Sequence, residues 1–117
     1  MFATYDYSKF PEVKVSFDGT IQYESEFTLF TEQWLQLYED KKRFNFVFDV
    51  GNMGLVNPYY CYKIASFMGE IKKQPIQYLQ SSTILNVNTL IYGLLKIVFM
   101  IQSPISPVTI QHTDGST

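Results

Sequence analysis

The stretch from Phe44 to Tyr60, FNFVFDVGNMGLVNPYY, constrains this chain more than any other. Phe44, Phe46, Phe48 and Val50 fall on one side of a period-two ribbon, and Asn45, Val47 and Asp49 on the other. That spacing belongs to a strand and not to a helix. The run breaks at Gly51-Asn52-Met53-Gly54 and restarts at Asn57-Pro58. Asn57 is a good N-cap residue, and Pro58 follows where its missing N–H costs nothing. The stretch therefore predicts a strand, a loop and a helix start, in that order.

The flanking residues supply similar units. Residues 2–7, FATYDY, alternate weakly and suit an edge strand, with a turn over Ser8 to Pro11. Val13, Val15 and Phe17 alternate with Lys14, Ser16 and Asp18, as in a strand covered on one face, and Asp18-Gly19 closes it. Ser25 is the expected N-cap of a first helix whose apolar stripe is Phe27, Phe30, Trp34 and Leu37, with Lys41 in the last turn and an end near Lys42. A second helix is expected from Pro58 to about Lys73, burying Tyr60, Ile64, Phe67, Met68 and Ile71. Pro75 stops it. Tyr78 to Val87 holds a further strand, and Asn88 caps a third helix from Thr89 to Gln102. That helix has so little polar surface that it is either sunk in the domain or covered by something else. Val108-Thr109-Ile110 would be a last strand after the rigid Ser103–Pro107 connection.

The order β-β-α-β-α-β-α-β implies parallel pairing through right-handed crossovers. The fold class expected is α/β: one domain over residues 1–111, then a flexible tail over 112–117. Its sheet is mixed and mostly parallel, with four to five strands and three helices mainly on one face. A chain of 117 residues buries roughly two-thirds of its unfolded surface.

Composition removes several classes of function. Nine basic against eleven acidic residues give a formal charge of −2. The basic runs, Lys41-Lys42-Arg43 and Lys72-Lys73, are placed to offset helix dipoles, so nucleic acid is not an expected partner. One histidine, His112, and one cysteine, Cys61, cannot make a tetrahedral metal site, and no cofactor is expected. The single cysteine and the lack of a signal-like N-terminus suit a cytoplasmic location. The most apolar window, Leu90 to Ile101, is too short to span a membrane and contains Lys96.

Set in this order, the residues resemble the STAS domain, the fold of anti-sigma factor antagonists and of sulfate-transporter tails. Val13-Lys14-Val15-Ser16-Phe17-Asp18-Gly19 looks like the family's second strand. Phe46-Val47-Phe48-Asp49-Val50-Gly51-Asn52-Met53 is similar to its central strand, an apolar run ending L-D-L-S-G-V. The next family segment, F-I-D-S-S-G-L, falls on Leu55 to Cys61. The likeness spans Val13 to Ile110, and the lipid-carrying CRAL-TRIO domain is a more distant relative in shape. In regulatory STAS members a serine at the start of the second helix takes a phosphate that releases a partner kinase. Asn57, Pro58 and Tyr59 stand there in this chain, so the resemblance implies the partner-facing surface without its phosphorylation switch.

The expectation is a non-enzymatic protein-interaction module, its partner-binding residues Asn52, Asn57, Tyr59, Tyr62 and Lys63 lying in the loop Gly51–Val56 and the first turn of the second helix. Self-association through the open sheet face or the third helix is left open. The alternative is a carrier of a small lipid-like ligand, with an apolar pocket between the third helix and the sheet. A third reading is an enzyme using Asp49 and Cys61, but Asp49 has no paired acid or base and is better suited to bonding loop amides.

Overall fold

The alternating segments pair in strict chain order. A computed structural model of the chain describes residues 2–113. Its strands are β1 (Ala3–Lys9), β2 (Glu12–Gly19), β3 (Phe44–Met53), β4 (Leu79–Val87) and β5 (Val108–His112). They form one sheet ordered β1-β2-β3-β4-β5. β1 is antiparallel to β2, and every later neighbour is parallel. The helices α1 (Glu24–Glu39), α2 (Tyr59–Lys72) and α3 (Thr89–Ile101) carry the crossovers between β2, β3, β4 and β5. Successive right-handed crossovers to the adjacent strand place all three helices on the same side of the sheet.

Burial shows that side directly. Val13, Val15, Phe44, Phe46, Leu79, Ile84 and Val87 are buried beneath the helices. The opposite face carries rows such as Lys14–Val47–Thr83–Thr109 and Ser16–Asp49–Leu85, and none of these residues is fully buried. Among the described residues the helices thus cover the sheet on one face only. Complete burial of Phe44 and Phe46 contributes about 1.5–3 kcal/mol each. Their rings join an aromatic chain in which Trp34 meets Phe46 edge-on at 4.9 Å and Phe67 at 5.2 Å.

Several boundaries differ from expectation, each for a tertiary or capping reason. α1 starts at Glu24 rather than after a Ser25 cap, because Glu26 reaches back to accept the amides of Gln22 and Tyr23 at 2.9 and 3.1 Å. It ends at Glu39; Lys41 is beyond it, in the left-handed region at φ 57°. β3 does not break at Gly51. It continues to Met53 because Asp18 and Gly19 of β2 pair with Asn52 and Met53. The buried face of α2 is Cys61, Ala65, Met68 and Ile71, so Tyr60, Ile64 and Phe67 are only half-buried at its flank. His112 belongs to β5 opposite Val87, and the Thr113 amide donates to the Val87 carbonyl, so the expected tail does not begin at 112. Residues 114–117 of that tail lie outside the described residues.

Among the described residues α3 packs along one side only, with Leu94, Leu95 and Phe99 half-buried beside its buried pair. Only Ile91 and Val98 are buried, while Leu90, Ile97, Met100 and Ile101 face outward, Met100 at 84% exposure.

Candidate functional site

Parallel strands deliver their connecting loops to one edge of the sheet, and the loops entering the helices meet at its carboxyl edge. Two glycines make the meeting close. Gly19 adopts φ 68°, a conformation natural to glycine, and its carbonyl accepts the Gly54 amide at 2.7 Å. A side chain on Gly54 would sit 3.4 Å from the Gly19 carbonyl carbon. Thr20 donates its hydroxyl to the Leu55 carbonyl at 2.7 Å. The β2–α1 and β3–α2 loops are therefore tied main chain to main chain.

The first turns of α1 and α2 are tied as well. Lys63 forms an ion pair with Glu24, and Tyr60 donates its hydroxyl to the same carboxylate at 3.0 Å. The Lys63 ammonium lies 5.1 Å from the centre of the Phe27 ring, 5.5 Å from that of Tyr59 and 5.9 Å from that of Tyr60. Such contacts hold a cation to its own protein.

Each expected partner-binding residue now has a place. Asn52 is exposed near the end of β3. Asn57 is exposed, and its side chain accepts the Tyr59 amide at 2.9 Å, so it caps the turn through Pro58 that opens α2. Lys63 is held by Glu24 and the three rings and is not free to project. Tyr59 and Tyr62 do project, and they have company. Tyr23, Leu55, Tyr59 and Tyr62 are between 57% and 68% exposed. Leu55 lies within the loop Gly51–Val56 already expected to meet a partner, without having been singled out there; Tyr23 escaped notice and had no signal in the sequence.

Asp49 and Cys61 are not brought together. Asp49 lies on the face of the sheet away from the helices, where its carboxylate accepts the Gly51 amide at 3.0 Å and the Asn86 side-chain amide at 3.1 Å. These two bonds hold its carboxyl below the usual range. Cys61 lies on the other side, in the packed layer, with its thiol 4.0 Å from the Leu94 carbonyl. Burial pushes that thiol up, away from the reactive thiolate. Among the described residues no cluster of His, Cys, Asp or Glu is arranged to hold a metal ion, and no helix is long and apolar enough to cross a membrane.

A partly open pocket also enters the layer between the helices and the sheet. A cavity of about 190 Å³ runs between the helices and the sheet, lined by side chains of all three helices. Two polar atoms of lining residues are buried with no hydrogen-bond partner among the described residues: Trp34 Nε1 and Ser106 Oγ. An unmet buried donor costs about 1–3 kcal/mol.

No protein-family model matches the sequence, and no curated protein matches it.

Proposed function

We propose that the chain is a STAS-like module that works by binding a protein partner and carries out no reaction itself. The partner is recognised at the carboxyl edge of the sheet, through the loop after β3 and the first turns of α2. One observation carries this reading: Tyr23, Leu55, Tyr59 and Tyr62 stand exposed around two loops fastened together at Gly19 and Gly54. Tyrosines on a rigid support lose little freedom on binding and combine apolar area with a hydrogen-bonding tip. Lys63 and Asn57 serve the site from beneath by holding its geometry. With Asn57, Pro58 and Tyr59 at the start of α2, recognition in this proposal is constitutive and takes no phosphate switch. The setting is cytoplasmic.

Affinity capture on the immobilised chain tests it. A double variant, Leu55→Ala with Tyr62→Ala, should lose a partner that the unaltered chain retains, with the thermal midpoint unchanged. Equal recovery by the double variant counts against this surface. The outward apolar face of α3 gives the proposal a second contact, between copies of the chain. The Met100→Glu variant should then show a lower sedimentation-average mass than the unaltered protein, and an equal mass rejects that contact.

A further inference from the structure

We infer that the cavity between the helices and the sheet is a binding site for a small, neutral, largely apolar molecule carrying a hydrogen-bond acceptor, of the class of aryl and short-chain ketones. The lining reaches the carboxyl edge at Met53, Val56 and Tyr60, but the exposed Tyr23, Leu55, Tyr59 and Tyr62 take no part in it.

The chemistry of the wall selects the class. Phe48 and Ile84 from the sheet and Leu94 and Val98 from α3 are typical of the lining, and among the described residues no charged side chain contributes to it. Carboxylates, phosphates and ammonium groups would be stranded there without a counter-charge. Water is a poor occupant, because an ordered internal water needs two to four polar partners and the wall is overwhelmingly apolar. Ser82, Tyr60 and Cys61 also line the cavity; two polar groups of lining residues are buried without a partner among the described residues, and both can donate. The Trp34 indole N–H can only donate, Trp34 is 5% exposed, and the N–H has no acceptor among the described residues. Ser106 contributes a hydroxyl that is also buried and unpartnered. A carbonyl oxygen satisfies such a donor, and a hydrocarbon body satisfies the rest. Size narrows the class further: a cavity of roughly 150 Å³ accommodates benzene, so about 190 Å³ suits one ring with a small substituent or a comparably short chain.

Trp34 is the only tryptophan, so its indole N–H gives a single resonance in a proton–nitrogen correlation spectrum. The full chain is titrated with acetophenone and, separately, with ethylbenzene, which has nearly the same shape and no oxygen. The expected result is a saturable shift of the indole resonance with acetophenone, downfield in the proton dimension. Calorimetry should show acetophenone binding about five- to tenfold more tightly than ethylbenzene, the worth of one neutral hydrogen bond. Trp34→Phe, which keeps a ring and removes the donor, should bring the two affinities together. Val98→Phe should fill the space and abolish both; Leu94→Phe, at a half-buried position, provides the same test in a milder variant. The inference is overturned by no saturable shift with either compound. Binding that survives the filling variants in folded protein, or equal affinity for the two compounds in the unaltered chain, also overturns it.

Discussion

Lys63 of α2 pairs its ammonium with the carboxylate of Glu24 at the start of α1, while three aromatic rings surround the same cation. A residue that by sequence looked available to a partner is therefore a strut between two helix starts. Lys63→Ala should lower stability by about 1 kcal/mol, combining a half-exposed ion pair with its ring contacts. Tyr62→Ala should stay within about 0.5 kcal/mol of the unaltered chain. Thermal melts of the two variants distinguish strut from surface, and high salt should narrow the gap for Lys63→Ala.

Gly93 sits within α3, exposed, and a methyl group added there would meet nothing within 4 Å. Glycine inside a helix costs about 1 kcal/mol relative to alanine. Gly93→Ala should therefore raise the denaturant midpoint by an amount corresponding to about 0.5–1 kcal/mol, with the slope of the transition unchanged.

Asp49 and Glu26 both hold their carboxyls below the ordinary range, Asp49 through the Gly51 amide and the Asn86 side chain, Glu26 through the Gln22 and Tyr23 amides. A carboxyl depressed on folding adds stability above its ordinary value and loses it as pH falls through the lower, folded value. The thermal midpoint should thus be flat from neutral pH down to about pH 5 and fall below about pH 4. Asp49→Asn should melt lower at pH 7, and its deficit should shrink as the acid limb is descended. A deficit constant across that range would show that the carboxylate charge is not what the Gly51 and Asn86 bonds recognise.

The Cys61 thiol is buried and raised. Alkylation by iodoacetamide at pH 8 should be slower than for an unstructured thiol by on the order of tenfold or more, and should recover the free rate in urea. A native rate as fast as the unfolded one would return Cys61 to the list of candidate nucleophiles.

What the residues disclosed in advance was the periodic part. Val13, Val15 and Phe17, then Phe44, Phe46, Phe48 and Val50, announced two strands sharing one covered face, and all of them are buried there except Phe48, which is half-buried. The stripe Phe27, Phe30, Trp34 and Leu37 likewise lies buried on α1. Hidden were the features set by partners distant in sequence. β3 extends through Gly51 only because Asp18 and Gly19 lie beside it. His112 joins the sheet only because Val87 is opposite. Trp34 was legible as core, but that its N–H meets no acceptor among the described residues depends on what every other element places around it. The ion pair of Lys63 was hidden for the same reason, its counter-ion being 39 positions away at Glu24.

Because the strands follow one another across the sheet in chain order, Ala3 and His112 stand on opposite flanks, yet both lie toward the same carboxyl edge. Tension drawn sideways through those two points would act across the ladder instead of along it. The hydrogen bonds would part in succession, like a zip, so the molecule should yield to pulling at low force even where it resists heat.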